Sequence, residues 1–388
     1  MDFPTWPSYT EEEIEAVQKI LQSGRVNYWT GSVGKEFEKE FAQYTGTLHA
    51  IAVSNGSVAL AASLHALNIG QGAEVIVTPR TFVASASEIV LAGAKPVFAD
   101  VDIDSQNITP KTIEPLITSK TRAILTVHLA GWPCDMLGIT EIAKHYDLCV
   151  IEDCAQSHGA SIHGRKVGSW GDVAAFSFCQ DKIITTGGEG GMLTTSNPEL
   201  WKLLWSMKDH GKGYDITHSK NQGTHFRWLH QTFGTNWRLT EMQSAIGRIQ
   251  TKRLNEWVRL RKRNAETLLS KLENESTVRV VRPDNSMEHA YYKCYVFVRP
   301  ETLKSGWDRD RILSELITLG IPCGTGSCPE VYRESAFLNY PSRPKDPLPI
   351  AKQLGETSIM FQVHPTLTQE HMVFIGDSVC SVLAKAKR

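Results

Sequence analysis

No stretch of the 388 residues approaches the roughly 18 consecutive apolar residues that a membrane-crossing helix needs. The opening Met1-Asp2-Phe3-Pro4-Thr5-Trp6-Pro7 lacks the basic start and apolar core of a secretion signal, so a cytoplasmic protein without a membrane partner is expected. Charge of one sign is missing too. Lys and Arg total 41 against 42 for Asp and Glu, and a net charge of -1 gives no general affinity for nucleic acid. The 8 cysteines show no CxxC spacing, and no HxxxH pair accompanies Cys323 and Cys328. Neither a disulfide framework nor a bound metal is therefore expected. There is no repeat and no low-complexity tract.

What is present suits a substantial core, with 41% apolar residues in a chain long enough for two domains. Thr10-Glu11-Glu12-Glu13 fits a capping box, and Ile14, Val17, Ile20 and Leu21 follow at helical spacing. A loop from Ser23 to Gly34 leads to a second helix ending near Gly46. An alternation then sets in. Apolar strands are predicted at 50–53, 74–77, 96–99, 123–127, 149–152, 173–178 and 191–195, with helices at 57–67, 83–92 and 137–146. This pattern implies an α/β fold: a mostly parallel central sheet sandwiched by helices, with ligands beyond the carboxyl ends of its strands. The polar segment from Asp209 to Phe233 breaks the rhythm, and a long helical stretch from Leu239 to about Leu272 follows. The expected division is a large domain over 1–250 and a smaller C-terminal α/β domain over 251–388. The smaller domain reads as strands, a helix at 309–319, a short strand and two helices.

Three segments carry chemistry. Ser54-Asn55-Gly56-Ser57 turns a strand into a helix whose first N–H groups suit a phosphate; alone, it is a capped helix. Val150-Ile151-Glu152-Asp153 ends an apolar strand in two acids, and Gln156 follows. A carboxylate there suits the protonated ring nitrogen of pyridoxal phosphate, with Gln156 near the phenolic oxygen; alone, it is a solvated turn. Finally, Ser177-Phe178-Cys179-Gln180-Asp181-Lys182 delivers a lysine before Gly187-Gly188-Glu189-Gly190-Gly191. A lone lysine there is ordinarily a surface residue. The conjunction of all three segments is not ordinary.

On these residues the chain resembles the nucleotide-sugar aminotransferases, the DegT/DnrJ/StrS group of fold-type I (aspartate aminotransferase-like) pyridoxal-phosphate enzymes. The motifs are Ser177-Phe178-x-x-x-Lys182 with Gly188-Glu189-Gly190-Gly191, and Glu152-Asp153-Cys154-Ala155-Gln156. The likeness runs from Phe37-Glu38 to Val363-His364-Pro365. The resemblance implies that Lys182 holds the cofactor as a Schiff base and later carries the proton. Asp153 would pair with the pyridine nitrogen, Gln156 would meet the phenolic oxygen, and Phe82 would stack on the ring. Gly56, Ser57 and Ser177 would hold the phosphate. Asn236 would reach the phosphate of a neighbouring subunit, which implies a homodimer with composite active sites. Trp29, Thr30, Glu189 and His210 are candidates for substrate contact.

The resemblance further implies glutamate as amino donor and a nucleotide-linked keto sugar as acceptor, most commonly a 4-keto-6-deoxyhexose, in amino-sugar and polysaccharide biosynthesis. Ser57 stands where the family often has Thr, and Thr235 where an aromatic commonly precedes the Asn. Lys182 is retained where dehydrating relatives have His, which argues for transamination. A keto-cyclitol substrate, sugar dehydration and a regulatory protein without turnover remain as alternatives. Lys208, Lys212, Lys220 and Arg227 are expected to grip a diphosphate. His158, His210 and His225 read more simply as surface or hydrogen-bonded histidines, with His210 the best placed for substrate.

Overall fold

The computed structural model describes residues 1–219 and 226–388; Lys220 and His225 fall outside the described residues. Its centre is a sheet of order β1-β9-β8-β5-β4-β2-β3. The strands are β1 (His49–Val53), β2 (Glu74–Val77), β3 (Lys95–Phe98), β4 (Thr121–Val127), β5 (Cys149–Asp153), β8 (Val173–Ser177) and β9 (Gly191–Thr195). The pairs β2–β3, β2–β4, β4–β5 and β5–β8 are parallel, whereas β9 runs antiparallel to both β1 and β8. The reversal has a local cause. Residues 178–190 form no crossover helix, so the chain turns back on itself. Lys182 sits in that turn. Short strands β6 (Ser161–Ile162) and β7 (Arg165–Lys166) pair beside β11 (Met287–Glu288) in a separate sheet. A further sheet has the order β10-β12-β14-β13, from β10 (Val278–Arg279), β12 (Cys294–Val298), β13 (Cys323–Gly324) and β14 (Ser358–Phe361).

The N-terminal helices are α1 (Glu11–Ser23), α2 (Val33–Thr45), α3 (Gly56–Ala66), α4 (Ala84–Leu91), α5 (Pro110–Ile113) and α6 (Met136–His145). They are followed by α7 (Pro198–Lys208), α8 (Tyr214–Thr217), α9 (Glu241–Leu272), α10 (Arg309–Thr318), α11 (Pro349–Thr357) and α12 (Gln369–Ala386). The capping box at Thr10 is present, and its Glu13 has a second task. The buried Glu13 carboxylate also accepts from Gln250 and Arg253, 3.0 Å each, which ties α1 to α9. Helix α9 spans both halves of the chain: Leu254 and Val258 join a core with Phe37 and Phe41, while Ala265 to Leu272 join the core under the small sheet.

Several elements were not anticipated from the pattern, helix α7 and strand β14 among them. Helix α7 buries Leu200, Leu204 and Trp205 behind an Asn197 cap, and strand β14 separates α11 from α12. No helix among the described residues is long and apolar enough to cross a membrane.

Candidate active site

The strand ends converge on a cavity of about 620 Å³. It lies where β1, β2, β5 and β8 give way to loops, the position expected for ligands of such sheets. Its lining includes Gly56, Ser57, Phe82, Asp153, Gln156, Ser177, Lys182 and Glu189. These residues are spread over more than a hundred positions of sequence.

One wall is the start of α3. The Asn55 side chain caps the helix, accepting from the Val58 N–H at 2.9 Å, so the Gly56 and Ser57 N–H groups have no partner inside the helix. Glycine is required here by space. A Cβ on Gly56 would stand 2.7 Å from the Ser177 Cβ, and one on Gly191 would stand 2.4 Å from the Asn55 carbonyl oxygen. Only without those atoms can the helix start approach β8 and β9 so closely.

Strand alternation sends the two acids at the end of β5 to opposite faces. Glu152 accepts from the N–H groups of Gly168, Trp170 and Gly171 at 2.7–2.8 Å, and meets His128 Nε2 at 3.1 Å. The Cys134 N–H donates to His128 Nδ1, so Nε2 carries the proton that faces Glu152. Burial opposes ionisation of Glu152, but these donors outweigh it and hold the carboxyl below its usual range. His128, Glu152 and Cys154 stand close enough to hold a metal. The lone pairs on His128 and Glu152, however, already serve this network.

Asp153 faces the cavity in a different condition. It accepts from the Ser85 hydroxyl at 2.7 Å and the Ala155 N–H at 3.1 Å. Burial pushes its carboxyl up, and those two bonds, with more distant Lys182 and His128, only partly offset this. Asp153 thus lacks an adjacent cation.

Lys182 Nζ lies 3.3 Å from Asp181 Oδ1 and 3.4 Å from the Tyr292 hydroxyl, which itself donates to Asp181. Burial raises the Asp181 carboxyl, but Lys182 and Tyr292 bring it below its ordinary range. Neither Asp181 nor Tyr292 stands out in sequence. Asp181 adjoins the lysine, a signal that could have been used; Tyr292, before β12, reads only as strand. Phe82 exposes 69% of its surface, leaving its ring free on the cavity wall. Gln156 Oε1 accepts from the Ala130 N–H at 2.9 Å.

Other candidates lie outside this cavity in the single chain. Trp29 packs edge-on against Trp205 with Lys212 over its ring at 4.2 Å, and exposed Thr30 bonds to Asn27. His210 and Asn236 are exposed, the latter in a backbone bridge with Asp209.

Two expectations need correction. Lys208 is not available to a diphosphate: it is buried against Glu38 at 2.9 Å and over the Tyr28 ring at 3.9 Å. Lys212 pairs with Asp209 at 3.3 Å, and Arg227 donates to the Ile216 carbonyl and the Ser219 hydroxyl. Among the described residues, Lys208, Lys212 and Arg227 are thus already engaged. His158 is neither a surface nor a hydrogen-bonded histidine. It is buried against Phe176 and Phe178, neither ring nitrogen has a hydrogen-bond partner among the described residues, and burial pushes its imidazole down to about 3.

The donor set fits pyridoxal phosphate. Free helix-start N–H groups with the Ser57 and Ser177 hydroxyls match a phosphate. A buried carboxylate short of a cation matches a protonated ring nitrogen, and an amine on the cavity wall matches an aldehyde.

Comparison with known proteins agrees with this fit. The model of the DegT/DnrJ/EryC1/StrS aminotransferase family matches residues 7–380. The GDP-perosamine synthase of Escherichia coli O157:H7 is 35% identical over 96% of each chain. The dTDP-3-amino-3,6-dideoxy-alpha-D-galactopyranose transaminase of Aneurinibacillus thermoaerophilus is 33% identical, covering 96% of this chain and 95% of its own. Among solved structures, an aminotransferase from Psychrobacter cryohalolentis superposes with a TM-score of 0.97 at 51% identity, over 99% of both chains.

Proposed function

The chain belongs to the DegT/DnrJ/EryC1/StrS aminotransferase family of pyridoxal-phosphate enzymes, and from that premise we propose that it aminates a nucleotide-linked keto sugar, with glutamate as donor. The observation that carries this reading is the convergence of Lys182, Asp153, Gln156, Ser177 and the Gly56–Ser57 helix start on one cavity. Relatives named for GDP- and dTDP-linked amino sugars support the nucleotide. A 4-keto-6-deoxyhexose is the acceptor we favour, for an amino-sugar pathway in the cytoplasm.

In this reading Gly56, Ser57 and Ser177 bind the phosphate. Phe82 stacks on the ring, and Gln156 meets its phenolic oxygen. Asp153 holds the positive charge on the ring nitrogen. Once bound, pyridoxal phosphate supplies a sink for the electron pair left when a carbon loses its proton. Lys182 would hold the cofactor covalently and, as a free amine, would hold and move the proton at Nζ. Asp181 and Tyr292 orient that amine. Glu189, exposed on the cavity wall, is assigned to substrate, and Trp29, Thr30 and His210 to substrate across a subunit boundary.

The proposed assembly is a homodimer in which Asn236 serves the partner's phosphate. Phe226, Trp228 and Phe233, on the segment leading to Asn236, are 77%, 80% and 98% exposed. Apolar surface of this extent is what a second subunit would cover. The donor half can be tested alone: glutamate added to the loaded protein without acceptor should release stoichiometric 2-oxoglutarate and discharge the yellow colour. Loss of colour with release of 2-oxoglutaramate from glutamine, and no reaction with glutamate, would reassign the donor.

A further inference from the structure

Outside the cavity, residues 5–9 lie over the turn that carries Lys182. A second hollow of about 400 Å³ separates them from Gln180, Gly187 and Gly188. Across this junction the Trp6 indole N–H donates to the main-chain carbonyl of Lys182 at 2.8 Å. No other donor reaches that carbonyl among the described residues. The preceding side of the lysine is fixed separately, by its own N–H to the Cys179 carbonyl at 3.1 Å.

The indole is itself held. Trp257 meets it edge-on at 5.0 Å, His364 stacks at 6.1 Å, and the Arg261 guanidinium lies 5.0 Å from its ring. Arg261 is fully buried, and its Nη1 donates weakly to the carbonyls of Tyr291 and Tyr292 at 3.5 and 3.4 Å. The segment is anchored further along its length. The Thr366 hydroxyl donates to the Thr5 carbonyl at 3.2 Å, His371 Nε2 lies 3.1 Å from the Asp2 carbonyl, and Phe3 packs against His371 and Phe374.

We propose that Trp6 is a positioning residue for Lys182. Its N–H fixes the peptide at the main-chain end of the lysine, while Tyr292 and Asp181 fix the amine end. Arg261 braces both, through the indole face and the Tyr292 carbonyl. The lysine's stem ends in an amine that must approach its reaction partner closely. A small rotation of the peptide at its base swings that amine, and misplacement of a catalytic group by about an ångström can cost up to a hundredfold in rate. Without Trp6 the turn has lost one of the bonds that set that rotation. The consequence for turnover rests on the reading of Lys182 given above; the consequence for the lysine's own reactivity does not.

The test is Trp6→Phe, which removes the N–H with part of the bicyclic ring and keeps an aromatic face toward Trp257 and Arg261. Trp6 belongs to none of the hydrophobic cores, so the variant should melt with the wild type. In cofactor-free protein, brief labelling with an amine reagent and quantitative mass spectrometry reads Lys182 against Lys293, which lines the same cavity. The Lys182 rate is expected to change severalfold relative to Lys293. In the loaded enzyme kcat should fall about fivefold, the worth of one such hydrogen bond, with the donor KM nearly unchanged. A Lys182 labelling rate and kcat equal to wild type would overturn the proposal. If wild type itself fails to aminate any keto sugar, the labelling arm still decides the role of Trp6, and the reading of the function is what falls.

Discussion

A buried carboxylate keeps its charge at low cost only when a cation faces it, and Asp153 has none adjacent in the cofactor-free chain. The sign of its contribution follows. Its folded pKa is raised above the unfolded one, so the group costs nothing below the unfolded value, the cost grows between the two values, and it is complete above the folded one. Asp153→Asn should therefore leave the cofactor-free protein at least as stable as wild type at neutral pH, by thermal melting. Cofactor should then stabilise wild type more than the variant. With saturating cofactor, turnover should drop by roughly a thousandfold, because a neutral amide cannot hold the ring charge. An unchanged rate would make Asp153 a turn residue. Lys182→Ala should abolish turnover yet still bind pyridoxamine phosphate, since the α3 start and Asp153 remain. Full activity in that variant would remove Lys182 from the chemistry.

At the scale of elements, the proposed composite site turns on the short stretch Gly234–Arg238, which runs beside the end of β1: the Ser54 N–H donates to the Trp237 carbonyl at 2.8 Å. Asn236 lies there, exposed and outside its own chain's cavity. Mixing Lys182→Ala with Asn236→Ala subunits should restore activity, because each heterodimer has one site with neither lesion. Failure to recover, with subunit exchange demonstrated, would remove Asn236 from any shared site.

The strands that build the cavity were legible because buried parallel strands read as apolar runs, and their ends are marked by Gly, Asp and Lys. Helix α7 was not. Its eleven residues follow strand β9 after only two residues, and its tryptophans and leucines fall in short apolar runs that read equally as strand. Strand β14 is only four residues long and abuts α11 without a break. Tyr292 was illegible as a site residue for another reason: its position depends on how the small sheet docks, which no local pattern encodes. The same holds for Lys208. Its partner Glu38 is 170 residues away, so a count of loop charges could not reveal that it was already paired. A division near residue 250, which we retain as a proposal, falls on α9, whose two ends serve different cores.

Across the whole molecule, three histidines are held neutral by burial: His158 and His289 are pushed down to about 3, and His364 to about 4. In the unfolded chain each titrates near 6.5. Between these values the unfolded state binds more protons than the folded one, so stability is full above about pH 6.5 and is lost as pH falls toward 4. The slope reaches at most about 4 kcal/mol per pH unit if all three take part. Melting temperature should fall steeply from pH 6.5 to 5, before the ordinary carboxylates titrate. A flat profile in that interval would mean that these imidazoles reach water or a hydrogen-bond acceptor in the folded state.

The central claim is an amine transfer to a nucleotide-linked keto sugar. It is tested by incubating the loaded protein with glutamate and keto sugars, with and without UDP, dTDP or GDP attached, and following carbonyl-to-amine conversion by mass spectrometry. Efficient amination of a nucleotide-linked 4-keto-6-deoxyhexose, and poor turnover of the free sugar, is the expected result, because remote binding energy aligns the reacting carbonyl. Equal efficiency on the free sugar, preference for a keto-cyclitol, or dehydration without amine transfer would contradict it.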